Sequence, residues 1–290
     1  MKRLSKRKVI TYFVALVVAA WSIAPILWTF VMSISYEREI FSVPTHWIPE
    51  QPTSYNYARI FGLAYEATTV VSGQAVQIRQ GLVNSLLIAT PVAVVATLLA
   101  SLAGYAFGRY TFRFKNATLF AFLSTRMLPP ITIIIPYYFV FSQIRLVGTY
   151  QSLIITYVAA IVPVLTWILL GFFATLPIEI ERAARVDGCS RLRALRTVIL
   201  PMAAPGIAAV GILAFCLSWN EFLFALILSG GTSVETLPPV ISGLFTHAAQ
   251  YTLMSAAVIL SIIPTVVLSL IFQKYITQLR IVDAVSVRAE

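Results

Sequence analysis

The chain has 290 residues, of which 59% are hydrophobic and only 11% charged, and its mean hydropathy is +0.87. A water-soluble domain carries about 25% charged residues and about half apolar ones, so this composition cannot cover a soluble globule with polar surface. A soluble enzyme, a nucleic-acid binder and a disordered tail are therefore excluded, and the net charge of +10 is a matter of membrane topology rather than of an acidic polymer.

Six apolar runs follow one another along the chain: Val9–Ile34, Leu82–Phe107, Ala117–Phe141, Leu153–Leu176, Gly206–Ser229 and Leu253–Phe272. Each is long enough to cross about 30 Å of hydrocarbon as a helix. Lipid offers the backbone no hydrogen-bond partners, and the alternating pattern of a barrel is missing, so six transmembrane helices are expected. The first run follows the basic residues Lys2, Arg3, Lys6, Arg7 and Lys8 and continues past Trp28 and Phe30. That exceeds the apolar core of a signal peptide, so a retained first helix is expected.

With the N-terminus inside, 16 Lys and Arg residues fall in inner segments and 4 in outer ones. This asymmetry predicts that both termini are cytoplasmic. The expected organisation is a basic N-terminus over 1–8, a first span over 9–34, an extracytoplasmic loop over 35–81, a core over 82–276 and a cytoplasmic tail over 277–290. The 35–81 loop contains Pro44, Pro49 and Pro52 and then the mixed stretch Tyr55–Ile60, which predicts a small ordered cap.

The inner connection over 177–205 is short, charged and helical in pattern. Thr175 can cap a helix with Pro177 in its first turn and Glu179 and Glu181 near the positive end of the dipole. Gly188 suits the residue after that helix, and Ser190 can cap a second short one carrying Arg191, Arg193 and Arg196 and stopping before Pro201. A helix–Gly–helix of this kind presents one compact knob to a partner.

Two charges stand inside the apolar runs. Arg126, just before Pro129 and Pro130, is expensive in lipid and calls for a protein or water partner. Glu221, with Asn220 and Trp219, either lines a polar path with an aromatic platform or hydrogen-bonds a neighbouring helix. Pro129, Pro130, Pro136, Pro163 and Pro264 are expected to kink or unwind spans. Gly104 and Gly108 allow a close helix contact. His46, His247, Cys189 and Cys216 lack metal-ligand or disulfide spacing, and no catalytic constellation is present.

The inner connection resembles the permeases of ABC importers. Their motif runs Glu-Ala-Ala, three residues, Gly, nine residues, Ile, one residue, Leu-Pro. Ala183, Ala184, Asp187, Gly188, Leu200 and Pro201 match in register, with Val198 at the Ile position. Arg182 stands where the family has Glu, with Glu181 one residue earlier and about 100° round the helix. Leu195 stands where Phe is common. Further stretches resemble the carbohydrate (maltose-type) branch, and its second permease in particular. They are Trp47 to Thr53, Asn56-Tyr57, Asn84-Ser85, Ala103 to Phe107, Arg126 to Pro130, Gly171 to Phe173 and Trp219 to Phe222.

The resemblance implies an all-α fold of the type I importer permease kind in a bacterial plasma membrane. It also implies a second permease subunit, two ATPase subunits holding ATP and Mg, and an extracytoplasmic solute-binding protein. Glu181, Arg182, Ala183, Ala184, Asp187, Gly188, Leu195 and Pro201 would form the ATPase-coupling loop. No Gly-x-x-x-x-Gly-Lys-Ser/Thr sequence occurs, so ATP hydrolysis would reside in the partners and this chain would hold no cofactor and no nucleic acid. An ion-coupled secondary transporter, or a membrane scaffold, would account for the spans but leave the loop motif without a role.

Overall fold

A computed structural model describes residues 6–44, 46–63, 69–245 and 250–276. His247 and the 277–290 tail lie outside the described residues, as do Lys2 and Arg3. The elements, in order, are α1 (Lys6–Ser33), α2 (Glu37–Ile40), α3 (Tyr55–Ile60), α4 (Thr69–Arg109), α5 (Lys115–Ser124), α6 (Pro130–Gln143) and α7 (Tyr150–Thr175). After these come α8 (Ile178–Val186), α9 (Arg191–Ala194), α10 (Leu200–Trp219), α11 (Leu223–Ser229), α12 (Leu237–Gly243) and α13 (Tyr251–Ile276). A 3₁₀ turn, Thr125–Met127, follows α5, and a π turn, Leu195–Ile199, joins α9 to α10.

Among the described residues five helices are long and apolar enough to span a membrane, and a sixth span exists if the bent pair α5–α6 counts as one. Those two segments meet at 92°, so the break expected at Pro129 and Pro130 is present and divides the 117–141 run into two helices. The cause is the proline doublet. Two successive residues lose their N–H donors, and the residue before each proline is forced out of the helical region. Leu128 (φ −72°, ψ 125°) and Pro129 (φ −57°, ψ 131°) are both extended, and Pro130 starts α6. Single prolines act differently. Pro136, Pro163 and Pro264 sit inside α6, α7 and α13 without ending them, so of the expected kink or unwinding, the unwinding does not occur there.

The second helix is longer than its apolar run: α4 covers 41 residues and begins at Thr69, so the last part of the 35–81 stretch is helical. The fifth run is shifted. Its span extends from Arg191 through Trp219, and the chain breaks at Asn220 before α11.

The chain divides into two compact units, the described residues of 1–79 with 240–264 and those of 80–239 with 265–290. In the first unit α3 falls on the mixed stretch Tyr55–Ile60. The Glu37 carboxylate accepts the Tyr251 and Thr252 N–H groups (2.9 and 3.0 Å) and the Thr252 hydroxyl (2.7 Å), which caps the start of α13. Buried Asn56 donates to the Ser33 and Ser35 carbonyls (3.0 and 3.3 Å), and Arg59 donates to Gln250 (2.9 Å). Trp47 is largely exposed and leans on Trp28 with ring centroids 5.1 Å apart.

In the second unit α4, α7, α10 and α11 share one core. Leu165, Leu169 and Phe173 of α7 are fully buried, as are Val92, Ala96 and Ala100 of α4. The α4 set recurs every four residues and continues into Gly104 and Gly108. A Cβ at Gly104 would lie 2.9 Å from the Leu169 Cβ and 3.1 Å from the Leu170 nitrogen, and one at Gly108 would lie 3.2 Å from the Phe173 Cβ. The two backbones approach this closely because small residues leave room, which is how helices gain dispersion contact without a hydrophobic driving force. Asn84 and Ser85 anchor the segment after α11: Asn84 donates to the Ser233 and Glu235 carbonyls (2.9 Å each), and Leu237 N–H donates to the Ser85 hydroxyl (2.9 Å).

Gly104→Leu should therefore destabilise the purified protein by about 1–3 kcal/mol through overpacking. Gly171→Ala, whose Cβ would meet nothing within 4 Å, serves as the control. Thermal unfolding in detergent measures both, and equal melting temperatures would contradict the close contact.

Candidate functional site

The knob between α7 and α10 is built from local chemistry. Thr175 does not cap α8. Its hydroxyl turns back to the Phe172 carbonyl (2.8 Å) as the last residue of α7, and Pro177, which has no N–H to lose, takes the capping position. At the other end the chain forms a Schellman motif. Gly188 N–H donates to the Arg185 carbonyl (3.2 Å) and Cys189 N–H to the Ala184 carbonyl (3.0 Å), which requires the positive φ of Gly188 (+87°). Ser190 caps α9 by accepting the Arg193 N–H at 3.3 Å, as its position predicts.

The second arm of the knob does not stop before Pro201. The π turn shifts the hydrogen-bond register just where Pro201 has no N–H, and the helix runs on into α10. Arg191 through Trp219 is therefore one continuous rod, with its basic end in the knob and its apolar length in the span.

Burial sorts the predicted coupling residues into two sets. Arg182, Ala183, Asp187, Gly188 and Pro201 are exposed, and Ala184 is half-buried. Arg185, Arg191, Arg193 and Arg196 are exposed too, so five arginines share the outside of the knob, and Val186 projects among them at 87% exposure. Glu181 and Leu195 are on the other side. Leu195 packs into the shared core, and Glu181 is buried, accepting the Tyr105 hydroxyl of α4 at 2.7 Å. Glu181 thus does not substitute for the missing acid at Arg182 on the exposed face. The helical offset of one position carries it inward.

The intramembrane polar residues have separate tasks. Glu221 closes a break in the fifth apolar run. Its carboxylate accepts the Phe224 and Ala225 N–H groups at 3.0 and 3.1 Å, two of the donors that the start of α11 leaves open. Asn220 closes the other side, its side chain donating to the Cys216 carbonyl at 2.8 Å. Trp219 is buried and stacks on Phe215, with centroids 5.6 Å apart and planes 16° apart, so it offers no open platform in this chain. Arg126 occupies the 3₁₀ turn at the 92° bend and is exposed. Among the described residues no contact joins Arg126 to Asn220 or Glu221.

Sequence reasoning passed over Tyr105, Arg109 and Tyr110. Tyr105 lies in the Ala103–Phe107 stretch, and Arg109, about one turn further on among aromatics at a helix end, was the available signal. Cys189 and Cys216 are both free thiols. His46 contacts Ser42 (3.0 Å) and Glu50 (3.2 Å), and no group able to hold a metal occurs among the described residues.

Residues 96–281 match the model of the family described as binding-protein-dependent transport system inner membrane component. The chain belongs to that family. This inner-membrane component is 31% identical to the sulfoquinovosyl glycerol transport system permease protein of Agrobacterium fabrum, over 92% of this chain and 90% of the relative. It is 32% identical to the trehalose/maltose transport system permease protein of Thermococcus litoralis, over 93% and 94% respectively. A bacterial ABC transporter involved in the import of the acidic polysaccharide alginate contains a chain of the same fold, with a TM-score of 0.71 at 21% identity, covering 95% of this chain and 99% of that one. As a family member with several membrane-spanning helices, the protein is a multi-pass inner-membrane permease.

The cap at Glu221 is open to direct measurement. Glu221→Ala should cost about 1 kcal/mol of stability by leaving both N–H groups unmet, and Glu221→Gln, which keeps one acceptor oxygen, should cost less. Thermal unfolding of the purified protein ranks the variants, and identical stabilities would contradict the cap.

Proposed function

We propose that this permease forms half of the transmembrane pathway of an ATP-driven carbohydrate importer. The cargo class is a sugar, oligosaccharide, glycoside or sugar or polyol phosphate, handed over by an extracytoplasmic binding protein. A second permease subunit completes the pathway, and two ATPase subunits supply the energy. The observation that carries this reading is the knob itself: a rigid, exposed helix–turn–helix with five arginines outside, continuous with the rod Arg191–Trp219. The names of the relatives support the cargo class, and the relative excess of basic residues on the knob's side supports a cytoplasmic position for the knob and both termini.

In this reading ATP and Mg bind in the partner ATPases, and the knob converts closure of their nucleotide sites into movement of the spans. The departure from the family motif at Arg182 sets the chemistry of the contact. With Arg182, Arg185, Arg191, Arg193 and Arg196 exposed and Glu181 turned inward, the partner groove should present acidic or neutral side chains. Arg126 and Asn220, both exposed on this chain, are the remaining candidates for lining the polar path. Glu221 and Trp219 shape it through the helix break and the packing behind it. A secondary transporter needs no docking partner and leaves the knob unused.

Two variants test the docking. Gly188→Pro cannot adopt the positive φ and loses the N–H that closes α8. It should insert in the membrane but abolish transport and reduce co-isolation of the ATPase subunit. Normal uptake would overturn the reading. Arg182→Glu with Arg185→Glu should lower ATPase co-isolation about tenfold or more, and more steeply at low salt than at high salt. Unchanged association at low salt would count against a charged contact.

A further inference from the structure

The end of α4 carries a buried polar cluster that the packing of the unit does not require. Glu181 Oε1 accepts the Tyr105 hydroxyl at 2.7 Å, and the Tyr110 hydroxyl donates to Tyr105 at 3.3 Å. The Arg191 guanidinium stands over the Tyr110 ring at 5.4 Å. Arg109 Nε lies 3.8 Å from Glu181 Oε2, and the two side chains are only 5% and 11% exposed. Both arms of the knob therefore rest on one helix end: α8 through Glu181 and α9 through Arg191. Tyr105 packs edge-on against Phe173, the same α7 residue that faces Gly108, so the cluster is tied to the close α4–α7 contact.

The ion pair is open. At 3.8 Å it lies beyond hydrogen-bonding distance, and Arg109 Nε and Nη2 and Glu181 Oε2 are buried without hydrogen-bond partners. Buried ion pairs contribute little to net stability, so stability alone does not account for one here. A buried charge contact shared by two elements is the kind of physical link through which movement passes from one to the other.

We propose that Glu181, Arg109 and Tyr105 form the joint through which the knob moves α4, with Glu181 a positioning residue that holds α8 to the span rather than to the ATPase. This rests on the proposed docking of the knob on ATPase subunits. Under it, α8 and the end of α4 travel as one body when ATP binds.

The test uses the assembled complex with a spin-label pair at Glu179→Cys on α8 and Thr111→Cys just beyond α4, in a Cys189→Ser, Cys216→Ser background. Electron–electron resonance distances are recorded without nucleotide and with trapped ATP–vanadate. With the joint intact, one narrow distance should hold in both states. Adding Glu181→Gln or Arg109→Leu should leave it narrow without nucleotide and broaden it by about 2 Å or more on trapping. Arg109→Lys should restore the narrow distribution. Variants indistinguishable from the intact joint in both states would overturn the proposal. So would variants already broad without nucleotide, which would assign the cluster to the fold alone, or an intact joint whose distance changes on trapping. Failure of any ATPase to co-isolate with the chain would instead overturn the docking on which the joint rests.

Discussion

The close approach of α4 and α7 is the contact on which the rest depends. Lipid gives no hydrophobic reward for helix association, so the helices must gain dispersion contact through backbone proximity. The stripe Val92, Ala96, Ala100, Gly104 and Gly108 permits that proximity, and Leu165, Leu169 and Phe173 fill the facing side. α8 begins three residues after α7 ends, so fixing α4 against α7 also sets the end of α4 beside α8. The buried Tyr105–Glu181 hydrogen bond follows from that arrangement.

A second constraint is that a helix broken in an apolar setting must still satisfy its ends. Each break carries its own means. Asn220 and Glu221 close the facing ends of α10 and α11, and Glu37 closes the start of α13 from a distant part of the chain. The π turn before α10 absorbs the missing donor of Pro201 without a break, which makes the knob and the fifth span mechanically continuous. The doublet Pro129–Pro130, with two donors lost in succession, produces a sharp bend of 92°.

Much of this was legible from residue order. Apolar run length located the spans, Gly188 and Ser190 marked the turn of the knob correctly, and the Tyr55–Ile60 stretch became a helix. Single-residue rules failed where neighbours decided the outcome. Thr175 has a capping side chain, yet α7 claimed it first. Pro201 has the chemistry of a helix stop, yet the π register accommodated it. The capping of α11 by Glu221 was not foreseen, because local pattern does not reveal that a helix starts two residues later. The inward turn of Glu181 depends on Tyr105 and Arg109, more than 70 residues away, and no local pattern contains it.

The central claim is that the arginine-bearing face of α8 and α9 seats on an ATPase subunit. The direct measurement is a cryo-electron microscopy structure of the complex isolated through a tag on this chain. The account predicts an ATPase groove over the knob, with acidic or neutral side chains opposite Arg182 and Arg185 and with Glu181 still buried against Tyr105. A knob facing lipid or solvent alone, or a basic groove opposite Arg182, would contradict it.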